Sequence, residues 1–348
     1  MPRAGVNIGD GCWGGHIIEF CDVFDTVKET GDHGSFNSWG RDRYWVSNIK
    51  EVNRRVATAP DLPMLDVVEP ITLRNNRWRC DHGWDIDLDD GSSNYHIYNN
   101  LCLHGGLKNR EGFNRVVENN VMVGNTFHPH VWFDNSGDLF QHNIVFTSYK
   151  PIGMPQKWGR TVDDNLLHEP SFKTPAAAEA LQKLSHQDAR SIRANADFIS
   201  PSSGDYRVRD GSPALALGFK NFPMDQFGVS SPALRAIART PSLSTDAAKE
   251  AARDISIHRW NGVRIRNISG PDEQSAHGLS SLAGVLVVDA PADSLLGKSG
   301  VLANDVILRV GGAAVADVQT LLSRQHQTGL TIDVMRDQQV VKLSLKPN

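Results

Sequence analysis

Asparagine recurs at a nearly constant spacing through the first half of the chain. Asn76 lies in ITLRNNRW, Asn100 in HIYNNLCL, Asn120 in VVENNVMV, Asn143 in FQHNIVF and Asn165 in VDDNLLH, at steps of 24, 20, 23 and 22 residues. Each sits in a short aliphatic or β-branched run followed by Gly, Asp, Asn or Ser. A period of this length, made of strands without helices, predicts a solenoid of stacked rungs. One rung cannot bury its own apolar face, so neighbouring rungs must do it. Stacked Asn side chains would satisfy one another and the turn backbone inside such a stack.

The rest of the composition narrows the reading. Lys and Arg total 36 against 40 Asp and Glu, and no basic stripe stands out, so nucleic acid is not an expected partner. No apolar run reaches the length of a membrane span. The four cysteines, Cys12, Cys21, Cys80 and Cys102, form neither a CxxC pair nor a disulfide framework. Cys102 shares its offset from the ladder Asn with Met122, Val145 and Leu167, which predicts an apolar core stack. Residues 14–27 already read as a rung, with no signal peptide and no cap before them. The expectation is therefore a stack lacking N-terminal rungs, from a longer protein whose full-length form is extracellular or periplasmic.

Three segments follow from this pattern. Residues 1–230 read as the solenoid, with 31–70 as a long loop excursion and 176–184 as a short helix. Residues 231–254 read as a linker or helix, and 255–348 as a small α+β domain. In that domain the pattern predicts strands at 284–289, 303–310, 330–336 and 340–345. It predicts helices at 294–299 and 315–325, with a hairpin turn at Asp337-Gln338.

The stretch GVLVVDAPADSLLGKSGVLANDVILRVGGAAV resembles a PDZ domain, with Asn304-Asp305 where that family has Gly-Asp. The resemblance implies a peptide or protein partner taken up near residues 277–282 as an added strand. The Asn rungs and the tail GDYRVRDGSPALALGF resemble the pectate-lyase-like right-handed parallel β-helix superfamily. GDHGSFNSWGRDRYW and DHGWDIDLDDGSSNYHIYNN resemble segments of β-helix glycoside hydrolases with a C-terminal PDZ domain. Together these imply a mainly β protein, a right-handed parallel β-helix followed by a PDZ-like domain, acting on a poly- or oligosaccharide.

The densest polar cluster runs from Asp81 and His82 to Asp90. Alternation over residues 84–89 places Trp84, Ile86 and Leu88 toward the core and Asp85, Asp87 and Asp89 on the outer face. Carboxylates at i and i+2 are then about 7 Å apart. Counted from the ladder Asn, Asp87 and Glu111 share an offset and are expected to be neighbours on adjacent rungs, with Lys108 and Arg110 beside them. Paired carboxylates are what glycoside hydrolysis requires, one as acid and the other as nucleophile or base. Asp87 and Glu111 are the expected catalytic residues, with Asp85 as a substitute. His128, His130 and Trp132 fall near the same offset one rung on. The loop supplies Asp32, His33, Asn37, Trp39 and Arg41, a mix of ring faces and hydrogen-bonding groups suited to sugars. With Asp81, His82, Asp89, Lys108 and Arg110, these form the expected substrate-binding set.

No cofactor or metal is expected for a hydrolase. The competing enzyme reading is a polysaccharide lyase, in which Asp85, Asp87 and Asp89 would hold Ca²⁺ and Lys108 or Arg110 would take a proton. The third reading is a non-catalytic glycan-binding or surface protein.

Overall fold

The computed structural model describes residues 1–9, 12–169, 176–241, 243, 255–324 and 331–344. The chain divides into two units, Met1–Val46 with Lys50–Ala248, and Ser47–Ile49 with Lys249–Asn348. The chain is mainly β.

In the first unit the Asn ladder forms. Asn76 Nδ2 donates to Asn100 Oδ1 at 3.1 Å, Asn100 to Asn120 at 3.0 Å, Asn120 to Asn143 at 3.0 Å and Asn143 to Asn165 at 3.2 Å. The ladder ends on the Cys21 amide, which donates to Asn76 Oδ1, and on Ser191 Oγ, which accepts from the Asn165 amide. The residue before each ladder position sits in the left-handed region: Phe20, Asn75, Asn99, Asn119, His142 and Asp164, all with φ between 53° and 56°. Asn and Asp tolerate that conformation better than other residues with a side chain. In each Asn-Asn pair the first residue therefore makes the turn and the second makes the ladder.

That turn joins two of three parallel sheets. One sheet carries, in spatial order, Val6–Ile8, Gly34–Trp39, Trp84–Asp89, Leu107–Arg110 and Phe127–His130. A second runs from Ile17–Glu19 through Ile71–Arg74, Tyr95–Tyr98, Arg115–Glu118 and Leu139–Gln141 to Thr161–Asp163. The third runs from Asp22–Val23 through Arg77–Trp78, Leu101–Cys102, Val121–Met122, Ile144–Val145 and Leu166–His168 to Ile192–Ala194, which pairs antiparallel with Ala176–Ala177. The core runs along the inside, with Phe36, Ile86, Leu107 and Phe127 in register on the first sheet. Cys102, Met122, Val145 and Leu167 stack on the third sheet, as their common offset predicts.

Two expectations change. The excursion over 31–70 is not all loop. It contains the strand Gly34–Trp39, drawn in because Phe36 is buried beside Ile86, and the helix Ile49–Thr58. The helix expected at 176–184 is Glu179–Ser185, because 176–177 are used as a sheet edge.

The second unit is an antiparallel sheet in the order His258–Trp260, Val263–Asn267, Val285–Asp289, Val306–Val310, Thr331–Arg336 and Gln339–Ser344, with Ala313–Ala314 beside Val306–Val310. Its helices Leu295–Lys298 and Val318–Leu322 are capped by Ser294 and Asp317 side chains. Asn304 is left-handed with φ of 70°, and Asp305 receives a two-pronged bond from Arg336. The predicted hairpin turn at Asp337-Gln338 forms with both residues left-handed. In the linker or helix expected over 231–254, Pro232–Arg235 is a short helix, and residues 242 and 244–254 lie outside the described residues.

Replacing Asn120 by Ala should strand the Asn100 backbone amide, which donates to Asn120 Oδ1, and remove one of three acceptors of the Asn100 side chain. Each buried group left without a partner costs about 1–3 kcal/mol. Urea unfolding of Asn120→Ala should show a loss of at least that size, with Asn75→Gly nearly neutral at its left-handed position. An unchanged midpoint for Asn120→Ala would remove the ladder from the account of stability.

Candidate functional site

The outer face of the first sheet collects charge. Asp87 pairs in register with Asn37 on one side and Lys108 on the other, and Lys108 pairs with His128. Trp39 lies beside Asp89, and Arg110 beside His130. The row beneath a solvent-facing sheet would normally be screened, but here most of it is buried. Lys108 is fully buried and its Nζ lies 2.8 Å from Asp87 Oδ1 and 3.3 Å from Asp89 Oδ1. The Trp84 ring covers the ammonium at 4.0 Å, a cation–π contact.

The environment moves neighbouring carboxyls in opposite directions. Burial pushes Asp87 up to about 8, against the pull of Lys108 and with a further push from Asp89. Asp89 also loses hydration, but Lys108 and Arg110 outweigh that loss and hold it below the ordinary range. Asp32 is exposed in the loop before Gly34–Trp39, yet protein packed near its carboxyl displaces water and raises it, with a further push from Asp89, while Lys108 and Arg110 draw it down. For Lys108, Asp87, Asp89 and Asp32 together overcome desolvation and raise its pKa. His128 is held neutral by burial and by Lys150 and Lys108, and neither ring nitrogen meets a hydrogen-bond partner.

The expected Asp87–Glu111 pair does not form. The register sets Asp87 opposite Lys108, and both carboxylates are buried. Asp87 lies eleven residues past its ladder Asn, but Lys108 and His128 lie only eight past theirs, because three extra residues widen the corner before Trp84. Glu111 follows the strand in a left-handed conformation and accepts from Trp45 Nε1 at 2.6 Å and Arg110 Nε at 3.3 Å. Asp85 is no substitute. Its oxygens accept from the amides of Cys80, His104 and Gly106, making it a corner clamp whose burial raises it to about 7. Trp84 is buried as expected, yet it packs on the charged row rather than in the core, touching His128 and His130 edge-on.

The other expected contacts divide. Asn37 is buried and bonds Asn7, and His33 bonds Thr30. Arg41 grips Asp90 and covers Trp45. Asp81 and His82 are exposed, with Asp81 paired to Arg79. Trp132 is a core residue packed on Phe127 and Trp158, its indole N–H donating to the Asn109 carbonyl, so it offers no sugar platform. Asp32, Trp39 and Asp89 remain within reach of solvent. Trp45, a loop aromatic, and Asp90, the last residue of the acidic cluster, hold Glu111 and Arg41 in place.

Ca²⁺ does not fit the three aspartates. Asp85 is turned onto backbone amides, and the Lys108 ammonium stands between Asp87 and Asp89. Among the described residues no three ligating side chains converge on one point. In the second unit, Val285–Asp289 is paired along both edges, by Val263–Asn267 and Val306–Val310, and His258–Trp260 covers the far edge of Val263–Asn267. A strand cannot be added beside residues 285–289.

No family model matches the chain, and no curated protein matches it. Among solved structures, the chain is similar to the HtrA3 PDZ domain bound to a phage-derived ligand (FGRWV). That similarity has 23% identity and a TM-score of 0.23, and covers 27% of this chain and 88% of that one. The resemblance to pectate-lyase-like carbohydrate enzymes is therefore corrected: no family model or curated relative supports it, and the HtrA3 likeness is to a PDZ domain over part of the chain.

The raised pKa of Asp87 has a consequence for stability. The folded state keeps its proton from the ordinary 3.8 up to about 8, whereas the unfolded chain loses it near 3.8. The stabilisation present at low pH is lost as pH rises through that window. Urea midpoints of the parent should fall from pH 5 to pH 8 more steeply than those of Asp87→Asn. Parallel slopes would mean that Asp87 is ionised throughout, paired with Lys108.

Proposed function

We propose that the first unit is a right-handed parallel β-helix and a glycoside hydrolase, with Asp32 as general acid and Asp89 as general base or nucleophile. The observation that carries this reading is a pair of solvent-reaching carboxyls on one face whose surroundings move them apart: Asp32 upward, Asp89 downward. Opposed shifts of this kind separate acid from base within one site. Asp32 gives its proton to the glycosidic oxygen, which leaves as an alcohol. Asp89 either takes a proton from the water that bonds to the anomeric carbon or bonds to that carbon itself, with water releasing the sugar afterwards. Lys108 keeps Asp89 ionised, Asp87 holds the Lys108 ammonium in place at 2.8 Å, and Trp39 offers a ring face beside Asp89.

Reducing-sugar release from a panel of plant, algal and animal glycans tests this. Asp32→Asn and Asp89→Asn should each lower kcat by about 10²-fold or more. The unfolding midpoint should change little in Asp32→Asn and fall in Asp89→Asn, which takes a counter-charge from buried Lys108. The rate should fall at high pH as Asp32 ionises and at low pH as Asp89 is protonated. Full turnover in both variants, or no release from any glycan by the parent, would overturn the proposal and favour a non-catalytic glycan-binding protein.

For the second unit we propose a peptide partner. A groove of about 210 Å³ is lined by Leu279, Ser281, Ala283, Leu308, Val315 and Met335. It lies next to the 277–282 segment, and with the edges of 285–289 taken, a peptide would be held there through its side chains. Leu308→Asp should abolish binding of apolar-ended peptides from a displayed library, and unchanged selection would remove the groove from consideration.

A further inference from the structure

A second cavity lies on the flank of the third sheet, within the first unit. It has a volume of about 390 Å³, in the range of small-molecule sites. Asp22 and Arg77, from two adjacent strands of that sheet, form one wall, and the tail carrying Asp225, Phe227, Arg235 and Arg239 forms the other. A smaller cavity of about 140 Å³ continues it, sharing Phe24, Arg239 and Thr240 and reaching Arg79 and Asp81. The two make one trough with four arginines along it: Arg77, Arg79, Arg235 and Arg239.

These arginines are not equally committed. Arg77 is held by both oxygens of Asp22, at 2.9 and 2.6 Å, and lies over Phe227. Arg239 lies over Phe24 and meets Asp25 at 2.8 Å. Arg235 differs: its Nε and one Nη donate to the carbonyls of Val229 and Asp225, both at 3.0 Å, and among the described residues it meets no carboxylate. Two carbonyls orient the guanidinium without neutralising it. The planar fork then offers its remaining donors to a carboxylate. Asp22 and Asp225 in the same walls would repel a doubly charged phosphate but accept hydroxyls. Phe24 and Phe227 supply apolar edges for a ring.

We propose that this trough binds a carboxylated, hydroxyl-rich ligand of the uronic-acid class, with Arg235 and Arg239 taking the carboxylate and Asp225 the hydroxyls. This site is separate from the first-sheet face, and the inference does not rest on the hydrolase reading.

Titration calorimetry of the full chain with sodium glucuronate, glucose and inorganic phosphate tests it. Glucuronate should bind saturably, glucose at least about 10-fold more weakly, and added salt should weaken binding. Arg235→Gln should reduce glucuronate affinity by about 10-fold or more. The residue is exposed, and circular dichroism of the variant should match the parent. Equal binding of glucose, or phosphate binding as tightly as glucuronate, would overturn the assignment. So would affinity that survives Arg235→Gln but is lost in Asp32→Asn, since the ligand would then occupy the first-sheet face.

Discussion

Everything in the first unit is built on the hydrogen-bonded line of asparagines at one corner. The side-chain amides of Asn100, Asn120 and Asn143 each do three jobs: they donate to the next Asn, to a carbonyl two residues back, and to a carbonyl in the preceding turn of chain. The corner is thus fixed in both shape and height. With the second and third sheets locked together there, variation in rung length falls on the other corners. The widened corner before Trp84 is one result, and the face it borders is where charge accumulates. A regular ladder and an irregular flank are two sides of one constraint.

That flank is organised by a single buried cation. Lys108 has been taken out of water, which is costly unless its surroundings restore the lost hydration. Asp89 does so by charge, Asp87 as a close oxygen acceptor, and Trp84 by its ring face. Because one ammonium serves two carboxyls, they cannot behave alike. Asp87, wholly buried, is raised, and Asp89, also near Arg110, is lowered. The electrostatic asymmetry follows from burial and geometry together; neither carboxylate differs from the other in kind.

How much of this is legible in the chain depends on which interactions are periodic. The ladder, the apolar stack of Cys102, Met122, Val145 and Leu167, and the 337–338 hairpin all repeat a local rule, and the residues announce them. The left-handed residue ahead of each ladder Asn was also there to be read, in the Asn-Asn doublets. The site was harder because it depends on register across a corner of variable length. A three-residue widening moved Glu111 away from Asp87 and put Lys108 there instead. Alternation failed at Trp84 and Asp85 for a related reason. At the first residues of a strand leaving a corner, unpaired amides are available, and a carboxylate finds them before the sheet imposes its two-residue period. Trp132 misled by composition: an aromatic in a charged rung reads as a platform, but its neighbours Phe127 and Trp158 claim it for the core.

The two polar surfaces of the first unit differ in how their charges are settled, and this difference separates their chemistry. On the first-sheet face every cation is enclosed with carboxylates, so the charge is internal and its effect is to tune neighbouring acids. On the flank of the third sheet, Arg235 is oriented by carbonyls, which fix direction without cancelling charge. A tuned acid pair suits proton transfer to a bound group, and an oriented but uncancelled guanidinium suits capture of an anion from solution. Stacked turns of chain allow both on one molecule, because the inward side chains already carry the fold and leave the outward ones free to differ from rung to rung.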